Sequence, residues 1–312
     1  MEHYVTLFDG LFLPQGLALH ASMERHAGVY TLWILCVDDT AHQVLSRLDL
    51  PHVRLLRAAD CETPELLSVK GGRTRAEYCW TLTPFAPRFV FDADPSVPRV
   101  TYLDADMWFC DRPQRLFREF ENSGKAVMIT EHSYAPEYDH SRTSGRFCVQ
   151  FMTFDRTRGE RVRQWWADRC IEWCFAREED GKFGDQRYLD DWPQRFTDEV
   201  HVLEDRPRLQ APWNALRFAP GEAIAFHFHG LRLLRNGHVL LTENYRLPRA
   251  TRETIYFVYV RELAMAIKRL REVGHDAAAQ SKEPLARLRV RIAVRRIVQW
   301  WREATAVAIC RL

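Results

Sequence analysis

The first half of the chain switches repeatedly between two hydrophobic patterns, and that alternation restricts the fold more than any other feature. "HYVTLF" at 3–8 predicts a strand and "LPQGLALHASMERH" at 13–26 a helix. "VYTLWILCV" at 29–37 has the continuous apolar run of a fully buried strand, "TAHQVLSRL" at 40–48 is helical, and "HVRLL" at 52–56 is another short strand. From Ala59 to Phe89 the pattern is mostly helical, broken at Gly71-Gly72 and Pro84. "RVTYLD", "AVMIT" and "FCVQFMTF" then return to strand. Strands and helices taken in turn predict an α/β fold with helices on both faces of one sheet. Sheets of that kind bind ligands beyond the carboxyl ends of their strands. Asp9, Asp38 with Asp39, and Asp104 with Asp106 all fall just past predicted strand ends.

Composition narrows the function classes. With 312 residues and 46% apolar content the chain has ample material for a core. A net charge of +2 gives no case for a nucleic-acid partner. The N-terminus "MEHYVTLFDG" lacks a basic region followed by an apolar run, and no window approaches 18 apolar residues. The eight cysteines are scattered without a CxxC pair, which argues against a zinc knuckle and for a reducing, cytoplasmic setting. Cys170 and Cys174 are expected to pack as small apolar groups. No GxGxxG or Walker sequence is present. Later, Glu160–Arg177 reads as a tryptophan-rich helix, "AIAFHFHG" as a strand, and 251–274 as a long helix closed by Gly274. The expected organisation is one α/β domain over 1–250 and a C-terminal helical extension over 251–312.

Asp-x-Asp is common by chance, and the chain has two copies. In "FDADPS" Asp94 precedes Pro95, so Asp92 and Asp94 belong to a turn. In "RVTYLDAD" Asp104 directly follows a buried strand, and in extended chain Asp104 and Asp106 point the same way. Two oxygens so placed suit a hard cation, Mg²⁺ or Mn²⁺, which also grips a diphosphate. A solvated turn would carry the same letters. In "AIAFHFHG" Ile224, Phe226 and Phe228 take one side and Ala225, His227 and His229 the other, so either histidine could supply a third ligand or simply be partly exposed. "GDQRYLDDW" sets Asp185 and Gln186 at the start of a short helix, where Asp185 could act as an N-cap.

Together these motifs resemble the nucleotide-sugar glycosyltransferases of GT-A fold, a Rossmann-like mixed sheet with helices on both faces. The group most resembled is the retaining family-eight type, which includes glycogenin and lipopolysaccharide galactosyltransferases. The resemblance runs from Tyr4 to about Leu233. It implies that Asp9-Gly10-Leu11-Phe12 stands for an Asp-x-x-Tyr that meets the nucleoside, with Phe12 keeping a stacking face and losing the hydroxyl. It implies that Asp104 and Asp106 of "YLDAD" bind the metal and that His227, of His-x-x-Gly230, is the third ligand. "SGRFCVQFMTF" is similar to a strand that reads Phe-Asn-Ala-Gly, with Cys148 in place of asparagine. Asp185 and Gln186 match the pair that reaches the donor sugar, and Glu131 is a second candidate for that sugar. The place of a diphosphate-binding lysine falls on Leu233, flanked by Arg232 and Arg235. Arg73 and Arg75, before a predicted helix, are further diphosphate candidates. "EYCWTLTP" at 77–84 and "APWN" at 211–214 are similar to stretches of a less characterised set of bacterial sugar transferases, making Trp213 and Asn214 candidates for the acceptor side; a loop anchored by a buried tryptophan is the plainer reading.

The resemblance implies a hexosyltransferase-like enzyme that takes a sugar from a UDP-linked donor, with Mn²⁺ or Mg²⁺ neutralising the departing diphosphate, and passes it with retention to a glycan, lipid-linked or protein acceptor. A sugar-nucleotide-binding protein that does not transfer, or a nucleotide-sugar hydrolase, would carry many of the same residues. The tail "PLARLRVRIAVRRIVQWWREATAVAICRL" has seven arginines and one acid, with Val290, Val294, Ile297 and Trp301 on a helical stripe. That pattern suits either peripheral contact with the inner face of an anionic membrane or docking on the catalytic domain.

Overall fold

The structure, a computed structural model, describes residues 1–280 and 309–311. The strands are β1 (Glu2–Phe8), β2 (Tyr30–Cys36), β3 (Val53–Arg57), β4 (Arg99–Leu103), β5 (Met107–Phe109), β6 (Val127–Glu131), β7 (Phe147–Asp155), β8 (Val200–Val202), β9 (Leu209–Gln210), β10 (Ala225–His227), β11 (Arg232–Leu233), β12 (His238–Leu240) and β13 (Ile309–Arg311). Seven of them form the main sheet in the order β3-β2-β1-β4-β7-β6-β8. β7 runs antiparallel to both of its neighbours, and every other pair is parallel. Smaller three-stranded sheets follow the orders β5-β10-β9 and β11-β12-β13.

β1 shows why both faces are covered. It is buried from Tyr4 to Phe8 and pairs with β2 in unbroken register, Glu2 opposite Tyr30 through Phe8 opposite Cys36. Tyr4 and Phe8 face a cluster with α1 (Leu13–His26), α2 (Asp39–Leu48) and the helix Gln114–Ser123. Val5 and Leu7 face the opposite cluster, built on the helices Arg75–Leu82 and Ala86–Ala93. Full burial of one such side chain stabilises by about 1.5–3 kcal/mol, so a strand apolar on both sides is held on both. This is the α/β architecture expected above, a mixed sheet with helices on both faces.

Local differences from the expected elements have simple causes. The helical stretch passes Pro84 through a 3₁₀ turn, Thr83–Phe85, and continues to Ala93. Proline lacks only a donor that the first turn of a helix leaves unpaired. Asp92 therefore lies on a helix, paired with Arg88, while Asp94 binds Arg54 and Ser96 in the turn. Neither stands at the mouth of the sheet. The helix from Glu160 ends at Glu172, so Cys174 lies beyond it; both Cys170 and Cys174 are buried and free. The long C-terminal helix is Phe257–Glu272, preceded by a π-turn at Arg252–Tyr256. Its Ala266 and Leu270 join the α1 cluster. Tyr259 stacks on Phe228 at 3.6 Å between ring centroids. No described helix is long and apolar enough to cross a membrane. The stripe expected in the basic tail lies outside the described residues; of that tail only 309–311 are described, and they form a strand, β13, rather than part of the expected helical extension.

Candidate active site

β1 and β4 are parallel neighbours, but the chain reaches them by leaving the sheet in opposite directions. Their carboxyl ends flank the reversal of strand order, which is where such sheets open a crevice. A cavity of about 640 Å³ lies there, lined from Leu7 to Tyr245. Asp9 and Phe12 follow β1, Asp104 and Asp106 follow β4, and Cys148 comes from the start of β7.

Asp104 comes directly after β4, its N–H donated to Gln150 O at 3.2 Å, and its own carbonyl closes a turn onto Met107 N at 3.1 Å. Beyond that turn β5 pairs antiparallel with β10, placing His227 opposite Met107. Phe228 N donates to Asp106 O at 2.9 Å. Register thus brings His227 to the two carboxylates: Nε2 lies 3.1 Å from Asp106 Oδ1 and 3.7 Å from Asp104 Oδ2. One ligand atom from each of the three lies within 4.8 Å of the others, the one such group found among the described residues. His229 extends the same line but is exposed; it also lines the cavity. Burial alone would raise the Asp106 carboxyl, but the His227 imidazolium beside it brings it down to about 2. Burial also acts to lower His227, and the two carboxylates outweigh it, holding the imidazole well above its ordinary value. Burial holds Asp104 above the usual carboxylate range. Two carboxylates and an imidazole within a few ångströms, reached from an open cavity, form a donor set that fits a divalent cation with positions left for oxygen ligands.

On one side of this triad, Asp9 caps a 3₁₀ turn by accepting Leu11 N, which presents Phe12 to the cavity. Arg75 donates to Asp9 Oδ2 and Asp38 Oδ2, both at 2.8 Å. Asp38 also accepts Ala41 N at 2.8 Å, capping α2, and Gly10 N at 3.1 Å. Arg75 lines the cavity with its charge already matched by two carboxylates. Arg73 lies elsewhere: it bonds Thr81 and Ile171 O and sits over Phe175, outside the lining. Arg232 lines the cavity, with Nη1 donating to Leu231 O at 2.8 Å. Leu233 is buried in the core, and the exposed Arg235 is not in the lining.

Asp185 and Gln186 both reach the cavity. Asp185 is only 3% exposed and Oδ2 has no partner among the described residues. Burial, with Asp104 nearby, pushes its carboxyl up to about 8. It does not cap a helix; the following 3₁₀ turn starts at Arg187 after Gln186. Glu131 is brought elsewhere, paired with Arg146 and Arg206 and absent from the lining. Asn214 is fully buried and structural: it accepts Ala211 N and donates to His132 O, both at 2.9 Å. Trp213 lines the cavity while its indole N–H holds the same carbonyl at 2.9 Å.

Sequence reasoning missed Gln150, His132, Tyr134 and Tyr245. His132 and Tyr134 stack at 4.6 Å and both line the cavity. Burial brings His132 down to about 3, so the stack is uncharged. The one legible signal was Gln150, a lone amide among the apolar Val149, Phe151 and Met152.

No protein-family model matches the chain. It is 28% identical over 292 residues to the uncharacterized protein YfnD of Bacillus subtilis (strain 168), covering 88% of this chain and 93% of that protein. The uncharacterized protein YfnF of the same organism is 28% identical over 275 residues, covering 82% and 88%. Among solved structures, mouse xyloside xylosyltransferase 1 in its apo form aligns with 73% of this chain and 97% of that chain, at 17% identity and a TM-score of 0.49. The apo WbbM bifunctional glycosyltransferase aligns with 73% of this chain and 46% of that chain, at 14% identity and a TM-score of 0.48.

Proposed function

We propose that this protein is a metal-dependent glycosyltransferase. It takes a sugar from a nucleoside diphosphate donor, with uridine the base, and passes it to a hydroxyl of a glycan, lipid or protein acceptor. The observation that carries this reading is the convergence of Asp104, Asp106 and His227 in a cavity that also contains Asp9, Phe12, Asp185 and Gln186. Asp104, Asp106 and His227 would hold Mn²⁺ or Mg²⁺, which as a Lewis acid neutralises the charge that develops on the leaving diphosphate.

The remaining work belongs to side chains. Phe12 offers a face to the base, and Asp9, fixed by Leu11 N and Arg75, offers an acceptor for nucleoside hydroxyl or imide hydrogens. Arg232 is the cation placed to meet phosphate oxygens, because the Arg75 charge is already matched. Asp185, protonated at neutral pH, donates a hydrogen bond to the donor sugar, and Gln186 lies beside it. A neutral acid is no nucleophile, so transfer with retention would proceed by attack of the acceptor on the face the diphosphate leaves rather than through a covalent intermediate. The ring-lined part of the cavity, at Tyr134, Trp213 and Tyr245, takes the acceptor.

Asp106→Ala tests the reading. Transfer from radiolabelled UDP-sugars should fall by more than about 100-fold, beyond the range seen for outer-shell partners of a metal. The variant should keep the wild-type fold by circular dichroism, with a lower melting temperature because the His227 imidazolium loses its nearest carboxylate. Full turnover by this variant in the presence of chelator would overturn the assignment. Release of free sugar without acceptor would identify a hydrolase, and binding without turnover a non-catalytic protein.

A further inference from the structure

Gln150 is fully buried at the centre of β7 and touches both arms of the triad. Its main-chain carbonyl accepts the Asp104 N–H at 3.2 Å. Its side-chain Oε1 lies 2.9 Å from His227 Nδ1. An amide oxygen can only accept, so this contact places a proton on Nδ1 and leaves Nε2, the atom facing Asp104 and Asp106, as the ligating nitrogen. The far end of the same amide has no partner among the described residues. A buried, unpaired N–H is unfavourable, and a leucine at this position would avoid it. The chain carries this cost in the middle of a strand whose neighbours Val149, Phe151 and Met152 are all buried apolar groups.

We infer that Gln150 is a positioning residue for the cation site: through Nδ1 it fixes the tautomer and ring plane of His227, and through its carbonyl it fixes the turn that carries Asp104. This rests on the proposed metal site and assigns it an outer support. Metal-bound histidines generally donate their second nitrogen to such an acceptor, and losing it weakens metal binding about 10- to 100-fold. Here the acceptor is a neutral amide rather than a carboxylate, so it orients the ring without adding a third negative charge beside Asp104 and Asp106.

The test compares Gln150→Leu, which removes the acceptor, with Gln150→Glu, which keeps it. Mn²⁺ affinity is measured by electron paramagnetic resonance on the full chain, without donor or turnover. The Leu variant should bind about 10- to 100-fold more weakly and the Glu variant at least as tightly as the wild type. In the Co²⁺-loaded wild type, proton NMR should show one exchangeable, hyperfine-shifted signal from the His227 Nδ1–H. That signal should broaden away in the Leu variant, whose ring proton has lost its acceptor, and persist in the Glu variant. Equal Mn²⁺ binding by the wild type and the Leu variant, with the shifted signal retained, would overturn the inference. Equal weakening in both variants would also overturn it, because then the acceptor is not what matters. A wild type that binds no Mn²⁺ would remove the metal site itself, a separate result that takes this inference with it.

Discussion

At the scale of single residues, the triad competes with a proton. His227 holds its proton well above the ordinary range because burial is outweighed by Asp106 and Asp104. Metal ligation needs the imidazole lone pair, so Mn²⁺ binding should expel about one proton and tighten as pH rises from 6 to 8. Titration calorimetry in two buffers of different ionisation heat reads that proton directly; pH-independent binding would contradict the ligand assignment. Asp185 gives a second pH dependence with a definite sign. Burial raises its folded value to about 8, whereas an unfolded aspartate titrates near its ordinary value of about 4. Between the two the native state binds more protons than the unfolded state, so this residue removes stability as pH rises. Asp185→Asn should therefore flatten the fall in melting temperature between pH 5 and pH 9, a difference read by thermal denaturation. If the two proteins lose stability in parallel, Asp185 is ionised throughout.

At the scale of elements, Gly16 lets α1 pack directly against Phe8 of β1. A Cβ on Gly16 would lie 2.4 Å from Phe8 Cζ and 2.6 Å from Cε1. Replacing an interior helical glycine by alanine favours the helix by about 1 kcal/mol, but overpacking costs about 1–3 kcal/mol. Gly16→Ala should thus be net destabilising in urea unfolding, and a stabilised variant would show that Phe8 moves freely. Elements of this size were legible in the sequence, because β1, β2, α1 and α2 each run long enough to display a period. The short strands were not: β5, β8, β9 and β11 span two or three residues, too few for an alternation. That gap hid the pairing of β5 with β10, on which the site depends. The sequence did separate the Asp104 pair from the Asp92 pair, since one follows a strand and the other precedes a proline. It did not separate Arg75 from Arg73, or Asp185 from Glu131, because only the fold decides which charges find surface partners. His132, Tyr134 and Tyr245 were hidden for a related reason: they sit in loops without period.

At the scale of the whole molecule, the arginine-rich tail is the largest feature without an assigned role. We propose that it attracts the protein to anionic lipid. Changing Arg287, Arg289, Arg291, Arg295, Arg296 and Arg302 to glutamine leaves β13 intact and should abolish sedimentation with phosphatidylglycerol vesicles, while phosphatidylcholine vesicles bind neither protein. Equal sedimentation of both proteins would remove the membrane role. A thermal-shift panel of nucleoside diphosphate sugars, with and without Mn²⁺, tests the donor at the same scale; stabilisation should require both components. One further property follows from how the cavity is assembled. Its wall takes residues from Leu7 through to Tyr245, contributed by segments far apart in the chain. A nascent chain emerging from the ribosome has no binding crevice until most of its length is available, and contacts of such long range form late. Donor added during refolding should therefore leave the early rates unchanged and act only on the last step, as a molecular latch on a finished product.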